Sequence, residues 1–153
     1  MASRILVSMR VKATPERAFE AFTREIGAWW KPDILFRFTP RSPGLLAFDG
    51  DRRLIETLPN GQVFEIGRVM AWEPPSRLAF GWRQAAFKPD QNTEVEVVFE
   101  PVGEETRVTV THTGWDSVPV EHVARHGFPD AVFLQRHAEW WQTLLISFGE
   151  RLS

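Results

Sequence analysis

Residues Gly67 to Trp82 read GRVMAWEPPSRLAFGW, and this stretch is the most informative part of the 153-residue sequence. Two apolar-rich segments flank Pro74-Pro75. Because proline cannot donate to a strand ladder and favours turns, the pattern predicts two strands joined at the proline pair. The stretch contains no obvious nucleophile, no metal-ligand cluster and no phosphate-binding glycine loop. It therefore indicates architecture rather than chemistry.

The composition narrows the classes of function. A hydrophobic content of 43% over 153 residues suits one folded domain. With 18 basic against 20 acidic residues, no basic excess favours nucleic acid or an anionic membrane. The absence of cysteine excludes disulfides, thiolate metal sites and thiol catalysis. No apolar run approaches the roughly 20 residues of a membrane span, and residues 1–11 do not resemble a signal peptide. We expect a cytoplasmic protein without membrane insertion.

The aromatic content is unusual, with 7 Trp and 12 Phe but no Tyr. Trp and Phe bring a large apolar area at a low cost in side-chain entropy. So many rings in a small chain indicate either a bulky core or a large apolar cavity lined by rings.

The first thirty residues predict a strand followed by two short helices. Apolar residues recur at every second position from Ile5 to Val11, as in a strand with one apolar face. Thr14 is suited to cap a helix that begins at Pro15, since proline fits the first helical position. A second short helix is predicted from Thr23 to Trp30, before Pro32.

A meander of about six strands is predicted next. Asp49-Gly50 and Asn60-Gly61 are typical hairpin turns. Prolines interrupt the segment that precedes the first of these turns, so residues 35–38 are predicted to form at most an edge strand. The other predicted strands cover residues 45–48, 53–58, 63–72, 78–83, 94–100 and 107–113.

The last segment predicts a long amphipathic helix with Asp130 as its cap. Its apolar stripe recurs at steps of four and three residues, through Leu134, Ala138, Trp141, Leu145, Phe148 and Leu152. An antiparallel sheet with one apolar face has to cover it, and this helix can lie across that face. If the sheet curves around the helix, the gap between them becomes an elongated cavity.

Several segments together carry a family pattern. They are ATPERAF at 13–19, IGAWW at 26–30, GRV at 67–69 with EPPSRL at 73–78 and Trp82, TEVEV at 93–97 with FEP at 99–101, TRVTV at 106–110, HTGW at 112–115, and Trp141 with Leu144-Leu145. In this order they resemble the START-like (SRPBCC) helix-grip superfamily, and within it the family named after the activator of the heat-shock-protein-90 ATPase. One departure is Gly50-Asp51-Arg52, where many relatives have a glycine pair.

The resemblance implies an α+β helix-grip (START/Bet v-like) fold, with residues 1–153 as a single START-like domain. In that fold a curved antiparallel sheet of about six or seven strands wraps around a long C-terminal helix, with two short helices after the first strand. Members use the shared cavity to bind lipids or other apolar molecules, to sequester toxins, to cyclise polyketides or to assist a chaperone. The fold alone does not choose among these roles.

The predicted ligand-binding cavity is mostly apolar. Rings at strand or helix spacing are also typical of an ordinary core, so both interpretations stay open. The candidate wall consists of Trp29, Trp30, Phe48, Met70, Trp82, Val97, Phe133 and Trp141, with His112 and His137 as its polar members.

His112 and His137 are the candidates for chemistry. His112 continues the phase of Val108 and Val110, so it is predicted to face the cavity as a hydrogen-bond partner or an acid/base group. His137 precedes Trp141 by one helical turn and can meet His112 across the cavity. The alternatives are a buried histidine satisfied by a neighbour, and a solvated histidine at the rim.

No metal or cofactor is expected. His122 and His126 have the i, i+4 spacing of helical metal ligands, but no convincing third ligand accompanies them. A Gly-x-Ser-x-Gly elbow is absent, so the sequence does not support a catalytic triad.

Three functions follow as hypotheses. The first is binding of an apolar, aromatic or lipid-like small molecule, without catalysis. The second is an enzyme of the cyclase or hydratase kind that uses His112 and His137. The third is a chaperone co-factor or stress-response interaction protein, which ranks last because the separate N-terminal domain of the eukaryotic activator is not seen. A homodimer is possible through Trp140, Leu6 and Val98, which lie outside the predicted apolar faces.

Overall fold

The computed structural model of the protein describes residues 4–31, 38, 44–119, 122–125 and 127–153. The predicted edge strand at 35–38, apart from Phe38, and the histidine at position 126 lie outside these residues. The elements are, in order, β1 (Arg4–Val11), α1 (Pro15–Arg24), α2 (Ile26–Trp29), β2 (Leu45–Asp49), β3 (Arg53–Thr57), β4 (Val63–Glu73), β5 (Arg77–Trp82), β6 (Thr93–Val102), β7 (Glu105–Thr113) and α3 (Asp130–Leu152). Two single 3₁₀ turns, Trp115–Ser117 and Val123–Arg125, precede α3.

The strands form one curved antiparallel sheet in the order β1-β7-β6-β5-β4-β3-β2. Strands β2 to β7 follow one another as hairpins, whereas β1 pairs with β7 at the far edge, where Arg4 lies opposite Thr113. The long helix α3 packs against the sheet and contacts β1. This architecture confirms the predicted helix-grip fold.

The stretch Gly67–Trp82 forms most of the β4–β5 hairpin. The Pro74-Pro75 peptide bond is cis, and Glu73 lies opposite Arg77 across the turn. The two strands also approach closely at their open ends, because a Cβ atom on Gly67 would lie 1.8 Å from the carbonyl oxygen of Gly81. A residue without a side chain is therefore required at Gly67.

The two short helices form as predicted, with shifted bounds. The Thr14 side chain accepts a hydrogen bond from the Arg17 amide, which caps α1. Helix α1 continues to Arg24, and α2 covers only Ile26–Trp29. The Trp29 indole donates to the carbonyl oxygen of Ala21 at 2.9 Å, which fixes α2 against α1.

The buried face of α3 is rotated from the predicted stripe. Leu134, Ala138 and Leu152 are only partly buried, while Trp140, which was predicted to lie beside the stripe, is buried. The helix begins at Asp130 with Pro129 at the cap position, so Asp130 is not the cap. The residues that α3 buries are Phe133, His137, Trp140, Trp141, Leu144, Leu145 and Phe148.

Candidate functional site

One end of the space between the sheet and α3 holds a set of aromatic and imidazole rings, here called the buried ring cluster. Strand β5, strand β7 and the turn after it, and the first half of α3 supply its members. Neighbouring ring centroids are 4.8 to 6.4 Å apart. All members are at most 5% exposed, and they are Trp82, His112, Trp115, Phe133, His137, Trp140 and Trp141.

His112 lies at the centre of this cluster. It is buried with Val108 and Val110 on the same face of β7, as the alternation predicts, and it pairs with Val95 on β6 and Ile5 on β1. The centroid of the His137 ring is 5.0 Å away, so the two histidines do meet between sheet and helix.

The hydrogen bonds of His112 define its tautomer. The Thr93 hydroxyl donates to the carbonyl oxygen of Trp82 at 2.7 Å, so its oxygen is left to accept from Nε2–H of His112 at 2.8 Å. On the other side, the Trp141 indole donates to Nδ1 of His112 at 3.2 Å. Both imidazole nitrogens are therefore occupied, and His112 is a neutral ring protonated on Nε2.

Burial keeps both histidines neutral. Desolvation lowers the pKa of His112 well below 6.5, and the neighbouring His137 lowers it further. Desolvation also lowers the pKa of His137 to about 3. Since Trp141 already occupies the Nδ1 lone pair, His112 is no free base. The arrangement favours hydrogen bonding in an apolar environment over proton transfer.

The structure brings most of the predicted wall together. Trp30 contacts Trp82, Trp140 and Trp141 with ring centroids 5.6 to 5.9 Å apart, and it continues the cluster towards α2. Trp29 is not a member of the cluster, and its ring packs against Phe22 and Phe148. Val97 is buried on β6, opposite Leu78 on β5 and Val110 on β7. Phe48 lies apart, half-buried against Trp72 and Phe80.

Met70 is a correction to the predicted wall, because its side chain is 53% exposed. The pairing of β4 with β5 shifts between Val69 and Ala71, as at a β-bulge. Val69 and Ala71 pair with consecutive residues of β5, so Met70 is the extra residue, and the alternation set by the buried Ile66 does not extend to it.

Three further residues of this region were not among the predicted candidates. Thr93 shares the buried face of β6 with Val95, so the alternation contained that signal. Trp115 and Trp140 are large rings whose burial depends on how a turn and a helix are rotated. Elsewhere in the sheet, Glu56 on β3 is also buried, and its carboxylate accepts from the Gly44 amide at 2.9 Å.

Two indole nitrogens of the cluster, and one buried side-chain nitrogen two residues after Trp82 in the sequence, have no acceptor in the part of the chain that the structure describes. They are Nε1 of Trp82, Nε1 of Trp115 and Nε2 of Gln84. Trp82 and Trp115 are 1% and 0% exposed. A buried donor without a partner costs about 1–3 kcal/mol, so such groups are rare and call for an explanation.

A buried arginine holds the outer side of the cluster. The Arg125 guanidinium donates to the carbonyl oxygens of Trp115 and Val118 at 2.6 and 3.0 Å, and to the Asp130 carboxylate at 2.6 Å. It also lies 4.9 Å from the centroid of Phe133. Arg125 thereby ties the turn that carries Trp115 to the start of α3.

An open groove lies away from the cluster, along α1, and is here called the α1 groove. One part, of about 440 Å³, runs between α1 and the Pro74-Pro75 turn. The adjoining part, of about 460 Å³, runs between α1 and the β2–β3 turn. Both parts are lined by Thr23, Arg24 and Trp72. Its borders also carry exposed Glu16, Glu20 and Asp51.

No group of three metal-ligating side chains occurs within the described ranges. His122 has both ring nitrogens occupied, since Nδ1 accepts from the Ala124 amide and Nε2 donates to the carbonyl oxygen of Ala86. None of the described helices is long and apolar enough to cross a membrane.

A curved antiparallel sheet with a long C-terminal helix across it, enclosing an aromatic interior, places the protein in the helix-grip class. Within this class, the family model described as Activator of Hsp90 ATPase homolog 1-like protein matches residues 12–145. The chain belongs to this family. The family fold supports a ligand-binding or polyketide cyclase-like role.

Solved structures with the same fold include proteins of different kinds. The Aha1 dimer from Colwellia psychrerythraea is 21% identical with a TM-score of 0.64, over 98% of this chain and 96% of that chain. PFC0360w, an HSP90 activator from Plasmodium falciparum, is 18% identical with a TM-score of 0.58, over 90% and 86%. The anthrahydroquino-gama-pyrone synthase Txn09, complexed with SUM, is 28% identical with a TM-score of 0.56, over 96% and 95%. A comparison with curated protein sequences gave no match.

Proposed function

We propose that the protein binds an apolar, aromatic or lipid-like small molecule between the sheet and α3. The observation that carries this proposal is the Trp82 indole. Its N–H is buried among rings and has no acceptor among the described residues. A bound molecule that reaches Trp82 supplies the missing acceptor and replaces ring contacts with ring contacts of its own.

The character of the surroundings supports the same proposal. Small-molecule sites are mostly apolar, with a few placed polar groups. Around Trp82 the walls are the rings of Trp30, Trp140 and Trp141, and the adjacent His112 is neutral. Trp30 is only partly buried, so the ring-lined interior reaches the surface on the α2 side.

Ligand binding is tested by titrating N-phenyl-1-naphthylamine, a neutral aromatic dye, into the purified protein. We expect saturable dye fluorescence, with an affinity that Trp82→Ala weakens at least tenfold because this change removes a wall of the site. Trp72→Ala is the matched control, since it removes a tryptophan that lines the α1 groove. No saturable binding, or a loss caused only by Trp72→Ala, contradicts the proposal. Native mass spectrometry then identifies any molecule that co-purifies.

A second candidate is an enzyme of the cyclase kind, and the similarity to the synthase Txn09 favours it. In such an enzyme the neutral His112 would act indirectly, by holding Thr93 and Trp141 in place around a substrate, because both its nitrogens are already occupied. Full turnover of a candidate polyketide substrate by a folded His112→Gln variant would exclude this role. The chaperone co-factor hypothesis has weaker support, because identities of 18% and 21% show the fold alone.

A further inference from the structure

We infer that the ligand is a neutral aromatic carbonyl compound, such as an aryl ketone or a quinone, whose oxygen accepts a hydrogen bond from the Trp82 indole. This inference rests on the proposed function, because it names the chemistry of the molecule held at the same site. It excludes protonated amines and other cations as ligands of this interior.

The unpartnered groups all require the same chemistry from a ligand. Nε1 of Trp82, Nε1 of Trp115 and Nε2 of Gln84 are nitrogen donors that cannot accept. Nearby acceptors are already in use. The carbonyl oxygen of Trp82 accepts from Thr93, and Nδ1 of His112 accepts from Trp141. A ligand that offers acceptor oxygens therefore satisfies groups which a ligand offering donors leaves unsatisfied.

The two unpartnered indoles border the same pair of histidines. The ring centroid of Trp82 is 5.1 Å from that of His112 and 6.0 Å from that of His137. For Trp115 the corresponding distances are 5.5 and 5.3 Å. The two donors thus belong to the same set of rings around His112 and His137.

The charges near the buried ring cluster also favour a neutral ligand with acceptor oxygens. No carboxylate belongs to the buried ring cluster, whereas the Arg125 guanidinium lies 4.9 Å from the centroid of Phe133 and 5.8 Å from that of Trp115. The buried indole N–H groups favour an electron-rich oxygen. A cationic ligand would lose its hydration beside Arg125 without gaining a counter-ion.

The test compares three molecules built on one bicyclic skeleton. 1-Tetralone carries one carbonyl oxygen, tetralin carries none, and 1-aminotetralin carries a cation. We expect 1-tetralone to bind roughly three- to tenfold more tightly than tetralin, which is the range for one hydrogen bond to a buried donor. 1-Aminotetralin should bind more weakly than tetralin. In ¹H–¹⁵N spectra, 1-tetralone should move the Trp82 indole N–H signal downfield, and tetralin should not.

Two variants locate the effect. Trp82→Phe keeps a ring and removes the donor, so it should abolish the preference for 1-tetralone while tetralin binding changes less than twofold. Trp72→Phe removes an indole from the α1 groove and should leave the preference intact. Since Trp82→Phe could affect folding, the comparison of ligands in the unchanged protein, with the indole spectrum, stands as an independent measurement.

The outcomes separate the two proposals. If tetralin and 1-tetralone bind equally well, or if Trp82→Phe weakens both equally, ligand binding stands and the carbonyl inference is wrong. If 1-aminotetralin binds most tightly, the inference is also wrong. If none of the three molecules binds and the naphthylamine dye does not bind either, the proposed function fails and the inference falls with it.

Discussion

The buried ring cluster and the α1 groove contain similar residues but differ in how far these residues are exposed to solvent. Both contain tryptophan, yet the cluster is closed around His112 and the groove is open beside Trp72. In the cluster, His112 bonds Trp141 and Thr93, and the indole N–H groups of Trp82 and Trp115 have no acceptor among the described residues. In the groove, the charged ends of Glu16 and Arg24 reach water. Ring content alone therefore does not locate a binding site; the partners of the polar atoms among the rings do.

The contrast also predicts how each region tolerates change. Some buried side chains both fill space and complete a hydrogen bond, as Trp141 does with His112. Removing such a side chain loses the packing contacts and the hydrogen bond together. A ring such as Trp72 at an open groove leaves space that water can fill. Substitutions should therefore be costly in the cluster and milder in the groove.

Truncating one tryptophan in each region should give the largest difference. Trp141→Ala removes a fully buried indole and the donor to Nδ1 of His112, so we expect a loss of about 3–5 kcal/mol in the free energy of unfolding. Trp72→Ala, at a half-buried position, should cost about 1–2 kcal/mol. Urea denaturation followed by circular dichroism measures both. Equal losses would mean that the two regions do not differ in packing.

The hairpin that joins the two regions offers the next test, because β4 carries Trp72 and β5 carries Trp82. Gly67→Ala would force a Cβ to within 1.8 Å of the carbonyl oxygen of Gly81, a backbone atom that cannot move alone. We expect a loss of about 3 kcal/mol. Gly81→Ala is the matched control, since its Cβ would find its nearest neighbour at 3.5 Å, an ordinary contact. Thermal unfolding of the two variants should separate them clearly.

Removing one hydroxyl group tests the network within the cluster. Thr93→Val conserves shape and leaves Nε2–H of His112 and the carbonyl oxygen of Trp82 without their partner, so we expect a loss of about 2 kcal/mol. Thr109→Val on β7 removes a hydroxyl that bonds only Ser8 at the surface, and should cost less than about 0.5 kcal/mol. If Thr93→Val leaves the free energy of unfolding unchanged, the hydrogen bond to Thr93 does not stabilise the tautomer of His112. Chemical denaturation with both variants decides this.

Acidification should destabilise the protein through His112 and His137. In the unfolded chain each histidine takes up a proton near pH 6.5, whereas in the folded protein each pKa lies lower, about 3 for His137. Below pH 6.5 the unfolded state thus binds more protons, and stability falls as the pH falls. We expect a loss of about 1.2 kcal/mol from His137 between pH 6 and 5, and a further loss in the same direction from His112. Urea midpoints that stay constant over pH 7.5 to 5 would contradict this.

Most of the fold could be predicted from periodicity, whereas the site could be predicted only in part. Alternation along β7 places His112 correctly, because a strand repeats every two residues and no irregularity interrupts that repeat. On β4 the same reasoning fails at Met70, since a register shift is not visible in the sequence. On α3 the stripe through Leu134 is offset from the buried face by a rotation that packing determines.

The partners of the polar atoms were beyond the reach of the sequence. That Thr93 bonds His112, and that Trp141 bonds it from the opposite side, depends on side chains 19 and 29 positions away along the chain. The same applies to the unpartnered indole of Trp82, which no local pattern distinguishes from a satisfied one. Such facts arise only when strands and helix are assembled, because they depend on orientation rather than on residue type.

The pairing of the first strand with the last has a consequence for synthesis on the ribosome. Arg4 meets Thr113, so β1 has no partner until β7 has left the exit tunnel. For most of translation the apolar side chains Ile5 and Val7 therefore lack the sheet that buries them. Long-range pairing of this kind slows folding, to the millisecond-to-second range for sheet-rich proteins. We expect nascent chains stalled before β7 to depend on chaperones, and chains extended through α3 to be released from them.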